Sequence, residues 1–163
     1  MRHRRLRDFD DETLKAVGRF ALAFGQLEAL TKPEGRLEAL AKGKMDGKRL
    51  SKESKRVVDS IDLFTELLEK RLLERCASEE APRYKLQVEA WATRTHTLRR
   101  VRNDLFHNWA MPAIRHPNVP SEEVTGFDLG NGASYLPADI LKIAKEAHDL
   151  FDEGQELVRV ATE

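Results

Sequence analysis

Residues 82–109 read PRYKLQVEAWATRTHTLRRVRNDLFHNW. Tyr84, Val88, Trp91, Thr95, Leu98, Leu105 and Trp109 recur in steps of three, four and seven, which predicts one long helix with a single apolar face. Pro112, Pro117 and Pro120 forbid its continuation, since proline removes a backbone donor and clashes with the preceding turn. Upstream, Glu79–Pro82 separates it from a helix expected to open at Ser51, with Val57, Ile61, Phe64, Leu68 and Leu72 as its stripe. Before that lie a Lys-rich connector carrying Gly43 and Gly47 and a short helical turn over 36–41. The first helix is capped by Asp10 or Asp11 and ended by Pro33 and Gly35. Its face is Leu14, Val17, Phe20, Phe24 and Leu27, and Gly18 and Gly25 within it would let a neighbour approach closely.

Downstream, residues 110–136 show no helical period, and Asn131-Gly132 between 124–129 and 133–136 is a hairpin signal. Connections this long tend to be functional. Pro137 suits the first turn of a last helix whose face is Ile140, Ile143 or Ala144, Ala147, Phe151 and Val158. The expected fold is all-α: one domain over 1–163, a bundle of four to five helices with a basic tail over 1–9 and an irregular arm or β-hairpin over 110–136.

Composition narrows the function. The chain balances 28 Lys and Arg against 28 Asp and Glu, which argues against a non-specific, strongly basic nucleic-acid coat. The balance is uneven along the chain, however. Residues 83–107 carry six basic against two acidic side chains, while 122–163 carry three against ten. The longest apolar run, Phe20–Phe24, is far short of the ~20 residues a membrane helix needs. A single cysteine, Cys76, excludes an intramolecular disulfide framework and a thiol-rich zinc site, and the chain reads as cytoplasmic. No histidine pair has metal-ligand spacing, so neither a metal nor a cofactor is expected.

The chemistry concentrates in Arg99-Arg100-Val101-Arg102-Asn103-Asp104-Leu105-Phe106-His107-Asn108-Trp109. Arg102 falls on the apolar stripe, where a guanidinium is costly without an anion or a cleft. His107 follows five residues later, roughly 140° round an ideal helix, so the two flank one edge. A fixed cation beside a titratable imidazole suits phosphate chemistry: the arginine clamps the phosphate and the histidine moves a proton near neutral pH. The plainer reading makes Arg102 an anchor for a buried carboxylate and His107 a partner of the helix dipole.

Arg102-Asn103-Asp104-Leu105-Phe106-His107 resembles the R-x-x-x-x-H motif of the HEPN superfamily (higher eukaryotes and prokaryotes nucleotide-binding domains), in which a polar residue often follows the arginine. The late position of the motif, on a long helix with one helix behind it, is similar too. The resemblance implies a metal-independent endoribonuclease of the defence or toxin type, working as a homodimer with two motifs in one composite cleft. It implies that Arg102 binds the scissile phosphate, Asn103 orients it, and His107 is the acid–base group for attack by the ribose 2′-OH. RNA and an antitoxin or other regulatory protein are the implied partners. Non-catalytic members imply the alternative, a module that binds nucleotide, RNA or protein. Toxin members silenced by nucleotidylation carry Tyr two positions after the histidine; this chain has Trp109, which disfavours that route.

Further residues join the expected site. Arg99, Arg100 and His96 would form a phosphate-binding rim. Trp109 would stack on a base or simply close the core. Glu28, one turn after Phe24, would pair with Arg102 or the His107 ring, against the plainer reading of a solvent-facing glutamate.

Overall fold

The computed structural model describes residues 9–107, 127–128 and 134–163, with the backbone alone at His107, at 127–128 and at Ser134. Six α-helices occur among these residues: α1 (Asp11–Leu30), α2 (Glu38–Ala41), α3 (Gly47–Glu53), α4 (Val57–Arg75), α5 (Ala81–His107) and α6 (Pro137–Thr162). The all-α expectation holds. The count exceeds four or five because the short turn after α1 is a helix and the segment expected to open at Ser51 is two helices.

Each start has a local cause. Asp10 Oδ1 accepts from Thr13 N at 2.7 Å, and Asp11 and Glu12 sit at the positive end of the α1 dipole. Asp46 accepts from Lys48 N and Arg49 N, both at 2.9 Å, so α3 begins at Gly47 and Ser51 lies inside it. Ser54 then turns its hydroxyl back to Leu50 O at 2.8 Å, Arg56 is extended, and α4 begins at Val57, where the apolar stripe also begins. In α6, Pro137 takes the first turn and Asp139 accepts from Leu136 N at 3.2 Å.

The core is lined by small residues where helices meet. In α1 the buried line is Thr13, Ala16, Phe20, Ala23, Phe24, Leu27 and Leu30, with Leu14 and Val17 on its flank. In α6 it is Ile140, Ala144, Ala147, Leu150, Gly154, Leu157, Val158 and Ala161. These two helices form the most extensive pairing in the fold and run parallel, with Leu30 at the end of α1 meeting Gly154 late in α6. The close approach expected at Gly18 and Gly25 is absent: a Cβ at either would touch nothing within 4 Å. It is found at Gly154 instead.

Trp91 of α5 joins the layers. Its ring lies 5.2 Å from that of Phe64 in α4, and its Nε1 donates to Leu150 O of α6 at 2.8 Å. Among residues 127–128 and 134–135, β1 (Phe127–Asp128) and β2 (Ser134–Tyr135) form a two-residue antiparallel ladder with Phe127 opposite Tyr135. The expected Asn131-Gly132 turn, and most of the 110–136 arm, lie outside the described residues, as does most of the 1–9 tail. No helix among the described residues is long and apolar enough to cross a membrane.

Candidate functional site

Two apolar residues place the motif. Leu105 is fully buried, and the Phe106 ring stacks on Phe20 of α1 with centroids 6.4 Å apart and planes 14° from parallel. These contacts fix the rotation of the last two turns of α5, and with it the side from which Arg102 and Asn103 project. Arg102 is half-buried, and its Nη1 donates to Asn103 Oδ1 at 3.1 Å. The neighbouring amide thus orients the guanidinium. The imidazole of His107 and the whole of Trp109 lie outside the described residues.

The expected rim separates into three cases. His96 Nε2 sits 2.9 Å from Asp62 Oδ1 of α4, an interhelical pair. Arg100 is exposed and, among the described residues, reaches only Thr97 Oγ1, at 3.4 Å. Arg99 is half-buried, and its Nε is fully enclosed with no hydrogen-bond partner among the described residues, as is Thr95 Oγ1 one turn earlier. Elsewhere on α5, Arg94 is taken up by α6: Nη1 donates to Glu153 at 2.9 Å and Nε to Glu146 at 3.3 Å. Part of the acidic excess of the last helix is thereby used by the chain itself, in solvent-accessible pairs between α5 and α6.

Glu28 does not pair with Arg102, and the other expected partner, the His107 ring, lies outside the described residues. Among the described residues its hydrogen bonds run through its carbonyl, which accepts from Thr31 N at 3.1 Å and Thr31 Oγ1 at 2.9 Å. The reason is position along α1. The motif end of α5 meets α1 at Phe20, whereas Leu30 lies at the Trp91 end. Glu28 is about 12 Å beyond Phe20 along the helix axis, and Arg102, one turn before Phe106, recovers only about 6 Å of that offset.

Tyr135 was not anticipated as part of this region. It packs partly against the core, and burial first, then the Asp104 carboxylate, pushes its phenol above the usual tyrosine range. Sequence spacing carries no signal for this, because 31 positions and the irregular arm separate the two residues. In an alkaline titration followed at 295 nm, the Tyr135 step, identified by its loss in Tyr135→Phe, is expected above the usual tyrosine range. Asp104→Asn should move that step toward lower pH while leaving it above the usual range, since burial persists. A Tyr135 step unmoved by Asp104→Asn would refute the juxtaposition.

Among the described residues no group of three or more His, Cys, Asp or Glu side chains converges as a metal site would require. No known family profile, curated protein or solved structure matches this chain significantly.

Proposed function

We propose that the end of α5 is the RNA-cleaving site of a HEPN-type endoribonuclease, a cytoplasmic defence or toxin protein that acts without a metal. The observation that carries this reading is the half-buried Arg102 guanidinium, braced by Asn103 at 3.1 Å within the R-x-x-x-x-H motif. An arginine oriented by its neighbour is prepared to grip a phosphate in one geometry, which lowers the ordering cost of binding.

In this mechanism Arg102 holds the scissile phosphate and offsets the charge that builds on it during attack. His107 takes the proton of the ribose 2′-OH, whose oxygen bonds to phosphorus. The bond to the 5′-oxygen breaks, and that oxygen leaves with a proton supplied by the second imidazole of a composite dimer cleft. The products are a 2′,3′-cyclic phosphate and a 5′-hydroxyl. An antitoxin or similar regulator would act by covering this cleft.

Incubating the purified protein with total RNA in EDTA tests the reading. The wild type should cleave and leave cyclic-phosphate ends. His107→Ala should slow cleavage by about 10²–10⁴-fold, the range for loss of a general acid–base group. Arg102→Ala should be impaired comparably. Intact RNA with wild type and variants alike would sink the nuclease and leave a binding module. That second reading draws on Arg94 and His96, which bind α6 and α4 carboxylates instead of standing free for RNA.

A further inference from the structure

Arg99 differs from every other basic residue of the motif helix in its surroundings. It is half-buried, its Nε is enclosed, and no hydrogen bond or ion pair satisfies it among the described residues. Of its guanidinium only Nε is enclosed; the Nη atoms keep access to solvent, where an anion can meet the charge. Among the described residues, the α4 carboxylates level with it are engaged. The His96–Asp62 pair sets the register of α5 on α4, so Arg99, three residues further on, is level with the first turn of α4. Asp59 in that turn is bidentate with Arg56, at 2.7 and 2.8 Å, and Asp62 is held by His96.

Arg99 is also placed beside the motif. On an ideal helix Arg99, Arg102, Asn103 and Phe106 fall within a sector roughly 100° wide. Positions three apart on a helix put their Cβ atoms about 5–6 Å from each other. That separation is close to the step between successive phosphates of a nucleic-acid strand. We propose that Arg99 forms a second phosphate site one turn before Arg102, so that the cleft grips two successive phosphates of one RNA strand. This rests on the RNA-cleaving reading for its ligand class. It adds that the shortest fully bound substrate carries two phosphodiesters.

The test uses 2′-O-methyl UpU and UpUpU, which carry one and two phosphates and resist cleavage by 2′-OH attack. Their affinities are measured by NMR titration at several salt concentrations. The wild type should bind the trimer about fivefold or more tightly than the dimer, as one added charge-assisted contact implies. In Arg99→Gln that gain should disappear, and the salt slope for the trimer should fall by about 0.7. Arg99→Lys keeps the charge and should retain part of the gain, and it serves if the glutamine variant does not fold. A wild type with no trimer gain, or a gain that survives in Arg99→Gln, overturns the second site. Cleavage of total RNA without a trimer gain would sink this site alone. A trimer gain lost in Arg99→Gln, with no cleavage of RNA by the wild type, would sink the nuclease alone.

Discussion

Gly35→Ala is expected to destabilise the fold by about 2–4 kcal/mol, in the upper range for single substitutions. A Cβ at Gly35 would lie 2.1 Å from the carbonyl oxygen of Ala29, 3.0 Å from its carbonyl carbon and 3.1 Å from Leu30 O. All three are backbone atoms at the end of α1, and no rotamer change can move them aside. Here the chain reverses: Gly35 N donates to Lys32 O at 2.9 Å, and the next residues turn back to bury Leu37, Leu40 and Ala41. A side chain at Gly35 must therefore either open this reversal or shift the last turn of α1, and both routes expose apolar surface. Thermal melting should show a drop of roughly 4–16 °C for a chain of this size. Gly18→Ala is the matched control. Its Cβ meets nothing within 4 Å, so the ordinary gain from replacing a mid-helix glycine, up to about 1 kcal/mol, should appear with the opposite sign. Equal melting temperatures for Gly35→Ala and wild type would show that the reversal does not depend on this contact.

Gly35 also marks where sequence reading reaches its limit. Pro33 and Gly35 announce a helix end, but their spacing says nothing of the chain pressing on the Ala29 carbonyl. The α5 stripe was legible because its buried residues, Val88, Trp91, Leu98 and Leu105, are large and apolar at helical steps. The facing of α1 and α6 was harder. Their contact line runs through Ala16, Ala23, Ala144, Ala147 and Gly154, which carry little hydrophobic signal and matter by being small. Phe151 falls on the α6 face that the spacing predicts, yet it is only half-buried and Leu150 takes the core position. The split between α3 and α4 was hidden because Ser54 is compatible with a helix interior until its hydroxyl is seen on Leu50 O.

For the candidate site, residue types were legible and pairings were not. The R-x-x-x-x-H pattern singles out Arg102, and position on the stripe suggests partial burial. Which cations are free depends on neighbours 34 to 59 positions away: Asp62 for His96, and Glu146 and Glu153 for Arg94. A net charge of zero conceals both facts. It sums a bundle that neutralises some of its own cations and leaves Arg99 without a partner among the described residues.

Trp91→Ala is expected to cost about 3–5 kcal/mol, the range for truncating a fully buried large aromatic. The indole is in contact with Phe64 of α4 and Leu150 O of α6, and it faces Leu30 across Gly154. Its loss leaves a cavity at the meeting point of four helices, where relaxation of one element is opposed by the others. Gly154 is the counterpart of this residue. A Cβ there would stand 2.7 Å from Leu30 Cδ2 and 3.0 Å from Trp91 Nε1. The leucine methyl can swing away, but the indole cannot yield without stretching its 2.8 Å bond to Leu150 O. Gly154→Ala should therefore destabilise by about 1–3 kcal/mol even after the gain in helix propensity. The two positions should be coupled. Trp91→Phe removes the N–H and the atoms nearest the new methyl, so Gly154→Ala should cost at least 0.5 kcal/mol less in that background. Chemical denaturation of the four proteins in this cycle measures the coupling. Strict additivity would mean that Gly154 is small for a reason other than the approach of Trp91.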